Sequence, residues 1–289
     1  MRGTCQGYKA LLSEPTICPS YTLRMPLPVS VQVCTLNEAA NIADCLTAIL
    51  ANDPQEVMVV DGGSSDDTVE IARATGAAVI KAGPVGLAQQ RRIGYSATDL
   101  GYVAFVDADD RLTRDWLETM LNELETGGYA ALQSLLRVPG PHNFWTSGWD
   151  SYFLETIKPA ADAIMVGRPA LYRTDSLRGI SGEPGMIIED TEMSRDLELR
   201  GLRQGIGTAI SYRACPDTAA ENFSKWKGYG RGYRQFVRAH PDRKSAIVRH
   251  ITWTIPVSRT VRPLLRGRLT QPLFGGLMAM NILRGYIRK

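Results

Sequence analysis

The chain has 289 residues, 44% of them apolar and 22% charged, an ordinary globular composition that excludes collagen, coiled coil and global disorder. The net charge of +3 hides a split: residues 225–289 carry 15 Lys/Arg and one acid, Asp242, so the first 224 residues hold the acidic excess. Such a basic end suits an anionic partner (a membrane surface, nucleic acid or a phosphorylated substrate), while no uncharged apolar stretch reaches the roughly 18 residues a spanning helix needs.

Residues 1–24, broken by Pro15 and Pro19, have no hydrophobic period and lack the apolar stretch of a signal peptide, so residues 1–27 read as an N-terminal extension. Residues 29–35 (VSVQVCT) predict a strand. Asn37–Leu50 predicts a helix with Ile42, Leu46, Ile49 and Leu50 on one face. Residues 57–60 (VMVV) predict a strand buried on both sides. The turn DGGSSDDT then leads to a helix from about Thr68, capped by Ser65 or Asp66. Two further strands follow at 78–80 and 102–106 (YVAFV), with helices at 86–97 and 113–126. Residues 129–186 are less regular and hold the aromatic group Trp145, Trp149, Tyr152 and Phe153. Residues 189–200 predict a charged helix that turns Met193, Leu197 and Leu199 inward, and the basic segment begins beyond Phe223.

Alternating strands and helices with short links predict an α/β fold, a mostly parallel sheet with helices on both faces. Ligands of such sheets bind beyond the carboxyl ends of the strands. Three polar turns fall there: Thr35-Leu36-Asn37-Glu38, Asp61-Gly62-Gly63 and Asp107-Ala108-Asp109-Asp110. Asp107-x-Asp109 offers carboxylate oxygens to a hard cation, Mg²⁺ or Mn²⁺, whose shell phosphate oxygens and water complete; the plainer reading is an acidic turn capping the next helix. Asp61 is placed to accept a hydrogen bond from a nucleobase N–H, or simply to hold a tight turn whose glycines adopt positive φ. Glu189-Asp190 open a helix after Gly182-Glu183-Pro184-Gly185. A carboxylate there is kept ionised by the helix dipole and suits a general base as well as a cap.

Other chemistries lack their signatures. There is no GxGxxG after the first strand, no GxxxxGK[ST] loop, and no motif around His142, His240 or His250. The five cysteines (Cys5, Cys18, Cys34, Cys45 and Cys215) form no CxxC pair, which argues against zinc or a disulfide framework and for a reducing, cytoplasmic setting.

The ordered set VSVQVCTLNEAANIADCL, VMVVDGGSSDDTVEIA, GLAQQRRIGYSA, YVAFVDADDRL and IIEDTEMSRDLELRG, across residues 28–210, resembles glycosyltransferase family 2 on the GT-A nucleotide-sugar fold. The resemblance implies a nucleoside-diphosphate-sugar donor and inversion at the anomeric carbon. It implies that Thr35, Asn37 and Glu38 hold the nucleotide, that Asp61 contacts the base, and that Arg91 lies near the diphosphate. Asp107 then stands on the ribose or metal side, Asp109 ligates Mg²⁺ or Mn²⁺, and Asp190 of the Glu189-Asp190 pair is the catalytic base. Gly62 stands where the family usually has a second aspartate, and Arg92 where it often has asparagine. The QxxRW motif of processive synthases is absent, which favours single additions.

The segment FSKWKGYGRGYRQFVRAHP resembles the region after the catalytic domain of succinoglycan-type exopolysaccharide transferases. The chain therefore divides into a catalytic domain over 28–222, with a nucleotide-sugar half to 128 and an acceptor half from 129, and a basic amphipathic helical segment over 223–289. Arginines alternating with apolar clusters at Ile251, Trp253 and Ile255 and at 273–283 suit helices lying on an anionic leaflet, or a helical pair packed on the domain. The implied acceptor is a polyprenyl-diphosphate sugar, met by a peripheral protein on the cytoplasmic face of the cell membrane. The aromatic group with Trp145 and Trp149 suits either stacking on acceptor rings or, with Tyr152 and Phe153, the core of the second half. A soluble or protein acceptor, a non-catalytic sugar-nucleotide binder and a nucleic-acid binder are the competing functions, the last unsupported by the first 224 residues.

Overall fold

The structure is a computed structural model that describes residues 25–180, 185–255 and 270–287. The expected features at 1–24 and at Gly182-Glu183-Pro184 lie outside the described residues. Strands β1 (Leu27–Thr35), β2 (Pro54–Asp61), β3 (Ala78–Lys81) and β4 (Tyr102–Asp107) alternate with α1 (Ile42–Leu50), α2 (Thr68–Ala74) and α3 (Leu87–Ser96). There follow β5 (Asp110–Leu112), α4 (Trp116–Gly127), β6 (Ala131–Arg137), α5 (Phe144–Thr156), β7 (Ala170–Arg173), the single turn α6 (Thr174–Leu177), α7 (Glu189–Leu199) and β8 (Gln204–Arg213). The C-terminal part is helical: α8 (Ala219–Ala239), α9 (Lys244–Arg249), which continues as a wider turn to Thr254, and α10 (Thr270–Ile287).

The eight strands run β3-β2-β1-β4-β7-β6-β8-β5. The first four are parallel, and β7 runs antiparallel to both β4 and β6. From β1 the chain steps outward to β2 and β3, then returns to the other side of β1 as β4. That reversal opens a crevice at the carboxyl ends of β1 and β4. The register sets Thr35 beside Asp61 and Cys34 beside Asp107, so the polar turns meet at one edge.

Side-chain alternation sorts the core by face. Ala104 and Val106 join Val29, Val31 and Val33 under α1 and α4, whereas Val103 and Phe105 pack with Tyr172, Met193 and Leu197 under α7. A third cluster joins α5, α8 and α10 through Trp149, Phe153, Trp226, Phe274, Met278 and Ile282. Aliphatic side chains buried in this way contribute about 1.5–3 kcal/mol each.

Several expectations are corrected. The first helix starts at Ile42 rather than Asn37, because Asn37 takes φ +57° and turns the chain. Leu50 and Leu199 face solvent, each at the last position of its helix. Residues 129–186, expected to be less regular, hold β6, α5, β7 and α6 among the described residues. The position 222/223 falls inside α8, and α10 lies against α8 and α5 with Phe274, Met278 and Ile282 buried while Leu273 and Ile287 stay exposed. Among the described residues no helix is long and apolar enough to cross a membrane. Cys34, Cys45 and Cys215 are free thiols.

Candidate functional site

The turns after β1 and β2 are tied to each other. Asn37 Oδ1 accepts from the Ser65 amide at 2.8 Å, and the Asn37 amide donates to Ser64 Oγ at 2.9 Å. The Glu38 amide donates to Thr68 Oγ1 at 2.8 Å, and its carboxylate accepts from Asn41 Nδ2 at 2.9 Å. Burial raises the Glu38 carboxyl above its ordinary range. Asp66 accepts from the Ala39 and Thr68 amides, but the N-cap position of α2 belongs to Asp67, whose side chain makes no capping bond, rather than to Ser65 or Asp66 as expected.

Asp61 lies at the centre of this zip and is almost fully buried. Its oxygens accept from Thr35 Oγ1 at 3.3 Å, the Gly63 amide at 3.0 Å, and the Ser64 amide and hydroxyl at 3.0 and 2.5 Å. Burial opposes its charge, but these donors prevail and hold the carboxyl below its usual range. Asp61 is thus turned toward the loop that follows it. Gly62 has little room: a Cβ there would lie 2.3 Å from Gln90 Nε2 and 3.3 Å from the Thr35 carbonyl.

Across the crevice, Asp107 ends β4 and is gripped from two sides. Arg91 Nη2, from α3, donates to Oδ1 at 3.0 Å; Arg213 Nη2, from the end of β8, donates to Oδ2 at 2.8 Å. Burial works against the Asp107 charge, but Arg213, Arg91 and Lys225 outweigh it and lower its pKa. Asp110, fully buried, accepts from Arg213 Nε at 2.7 Å and Nη2 at 2.6 Å. Asp109 keeps its carboxylate open, with Arg213 Nε at 3.8 Å. One oxygen from each of Asp107, Asp109 and Asp110 lies within 4.8 Å of the others, a hard-oxygen donor set of the kind Mg²⁺ or Mn²⁺ takes.

Arg91 joins this cluster to the start of α7. The same Nη2 meets Glu189 Oε1 at 3.2 Å, and the guanidinium lies 5.3 Å from the Phe105 ring centroid. Its Nε and Nη1 are buried with no partner among the described residues. Burial pushes the Glu189 carboxyl up to about 7 despite Arg91. Asp190 is half-buried, and its hydrogen bonds come from the Thr191 amide at 2.8 Å and hydroxyl at 3.4 Å. Burial raises its pKa too, with Arg91 opposing. Of the pair, Glu189 is held in an ion pair and Asp190 is the more open carboxylate.

The structure thus brings together Thr35, Asn37, Glu38, Asp61, Arg91, Asp107, Asp109, Glu189 and Asp190. It does not offer Trp149 as a stacking platform. That ring is 3% exposed, bonded through Nε1 to Asn222 Oδ1 at 2.7 Å and packed among Tyr152, Phe153, Trp226 and Phe274. Trp145 is partly buried against Phe144, Phe223 and Trp226 in the same cluster. The main residue missed from sequence is Arg213. Its signal was faint: a lone arginine ending an apolar–polar alternation just before the basic segment.

Residues 30–181 match the family profile described as Glycosyl transferase family 2. An uncharacterised glycosyltransferase of Rickettsia prowazekii is 34% identical over 113 residues, 38% of this chain and 38% of its own length. Glycosyltransferase AglE of Haloferax volcanii is 34% identical over 110 residues, 35% and 36% of the two chains. The match thus spans little over a third of these curated relatives. Among solved structures, glucosyl-3-phosphoglycerate synthase from Mycobacterium tuberculosis, in complex with Mn²⁺, UDP and glucosyl-3-phosphoglycerate, superposes with a TM-score of 0.55 at 18% identity, covering 73% of this chain and 78% of that one. S. aureus TarS, in complex with UDP-GlcNAc, gives 0.55 at 16% identity over 89% of both chains. At these identities the likeness establishes the GT-A-like fold.

Proposed function

The chain belongs to glycosyl transferase family 2, and from that membership we propose that it moves a sugar, with inversion, from a nucleoside-diphosphate donor to a lipid-linked acceptor, one sugar per encounter. The observation that carries this reading is that Arg91 joins Asp107, which clusters with Asp109, to Glu189, the neighbour of Asp190 at the start of α7. The UDP and UDP-GlcNAc complexes of the structural relatives favour a uridine donor.

In this reading the turns at Thr35, Asn37, Glu38 and Asp61 form the nucleotide side of the crevice. Asp107 and Asp109 are the residues that would hold Mg²⁺ or Mn²⁺, which when bound supplies positive charge to the leaving diphosphate. Asp190 takes the proton from the acceptor hydroxyl, whose oxygen attacks the anomeric carbon opposite the diphosphate. The bond to the diphosphate breaks, and its electron pair leaves with the nucleotide. Glu189 anchors Arg91, whose charge favours the ionised form of Asp190.

A cavity of about 270 Å³ at Thr191, next to the proposed base, has Arg195, Glu198 and Arg243 on its wall beside an apolar lining of Ile164, Met165, Phe236 and Ile247. That apolar lining supports an acceptor with a hydrocarbon tail, such as a polyprenyl diphosphate. The basic residues of α8 and α9 would face an anionic leaflet, with the protein peripheral on its cytoplasmic side. A soluble acceptor is the second reading, favoured by the packing of α10 on α5 and α8, which gives the C-terminal helices a structural role.

Thermal shift with UDP, GDP, dTDP and CMP, with and without Mn²⁺, tests the donor site. A ligand at 100 times its Kd stabilises by about 2.7 kcal/mol. A shift that needs Mn²⁺ and is lost in Asp109→Asn is expected; folded protein that responds to none of the nucleotides would overturn the reading.

A further inference from the structure

Arg213 reaches Asp107 across 106 residues of sequence and forks into the acidic cluster. Two of the three carboxylates are engaged by arginine. Asp110 accepts two bonds from Arg213, and the two oxygens of Asp107 are divided between Arg91 and Arg213. Only Asp109 presents a carboxylate without a hydrogen bond among the described residues, and Arg213 Nε stands 3.8 Å from it. A free divalent ion approaching this cluster meets one open carboxylate and a guanidinium already in place. Hard cations need several oxygens, and a positive neighbour a few ångströms away adds repulsion. A diphosphate alters both terms, because it brings oxygens and negative charge together.

We propose that Arg213 is a resident counter-ion that holds the Asp107–Asp109–Asp110 cluster against free divalent metal, so that the metal enters with the nucleoside diphosphate. Asp107 would then give up its bond from Arg213, while Asp110 would retain the guanidinium through Nε and Nη2. The two carboxylates differ in the way this requires: Asp110 is buried and doubly bonded, whereas Asp107 receives one bond from Arg213 and is partly exposed. Arg213 is a positioning residue in this scheme, and its effect is read in metal binding rather than in turnover. The inference rests on the reading of Asp107 and Asp109 as metal ligands.

Electron paramagnetic resonance of Mn²⁺ with the full chain tests it, alone and with each of UDP, GDP and dTDP. In the unaltered protein one nucleotide should tighten Mn²⁺ binding by about tenfold or more. In Arg213→Gln, Mn²⁺ alone should bind about tenfold tighter than to the unaltered protein, the weight of one charge-assisted hydrogen bond. Because Arg213→Gln strands a buried carboxylate, the double variant Asp110→Asn/Arg213→Gln is measured beside it and should still bind Mn²⁺ tighter than the unaltered protein, though by less, because the cluster has lost one carboxylate while Asp107 is freed. If the folded variants bind Mn²⁺ no tighter than the unaltered protein while nucleotide still recruits the ion, the counter-ion role is overturned and the metal site stands. Equal Mn²⁺ affinity of the unaltered protein with and without nucleotide also overturns it. If Mn²⁺ binds to none of them under any condition, the metal reading itself falls.

Discussion

Asp190 sits where burial raises its carboxyl above the ordinary aspartate range and the charge of Arg91 pulls it back. A base works deprotonated, so turnover should fall on acidification at a higher pH than a solvated aspartate would give. Arg91→Met removes the opposing charge, and the acid limb of kcat/KM should move further up; an unmoved limb would assign it to another group. Asp190→Asn should lower kcat by about 10²–10⁴-fold, with the nucleotide thermal shift intact. Glu189 and Asp110, both pushed up to about 7 by burial, bear on stability as well. Between the unfolded values and about 7 the folded chain binds more protons, so their contribution is present at low pH and lost as pH rises. The Tm of ligand-free protein should therefore rise from about pH 7.5 to about pH 5.5, a window in which the depressed carboxyl of Asp61 stays ionised. The strand-end acids were legible in the sequence because each follows an apolar run. Arg213 was not, because only the antiparallel pairing of β5 with β8, which sets it opposite Asp110, brings it to the cluster.

Among the elements, β1, β2 and β4 announce themselves as apolar runs, but β6 is disguised. Its buried Gln133 and Ser134 break the pattern and are satisfied only in the fold, by the Gly167 amide and by Ser211 Oγ. The start of α1 was hidden for a different reason: nothing local requires an asparagine to take positive φ, and the bonds from Asn37 to Ser64 and Ser65 decide it. The apolar stripe of α10 was visible in sequence, but a stripe does not say whether lipid or protein covers it. Here α8 covers it through glycines. A Cβ on Gly230 would lie 2.1 Å from the Ile282 carbonyl oxygen, and one on Gly285 would lie 2.2 Å from that of Lys227. Gly230→Leu must push the two backbones apart and should cost about 1–3 kcal/mol or more in urea unfolding. The nucleotide shift should survive it, because the donor edge is built on the clusters under α1, α4 and α7; its loss would show that the C-terminal helices also support the donor site.

At the scale of the whole molecule, the basic C-terminal part keeps apolar side chains in the open: Trp253, Leu273 and Ile287 are each at least 60% exposed. Pelleting with anionic vesicles should therefore fall with added salt and fall further in Trp253→Ala. Pelleting that ignores both changes would leave the soluble-acceptor reading ahead. The two halves of the catalytic fold also share one guanidinium, since Arg91 meets Asp107 of β4 and Glu189 of α7 through a single nitrogen. Whatever draws Asp107 toward an incoming donor loosens one claim on that nitrogen and leaves it to the acidic pair that begins α7. For the transfer proposed above this predicts an order: the acceptor's hydroxyl meets a fully prepared base only after the sugar nucleotide has arrived. Steady-state kinetics should accordingly be compulsory-ordered, donor first, with the nucleoside diphosphate leaving last and inhibiting competitively against the donor alone.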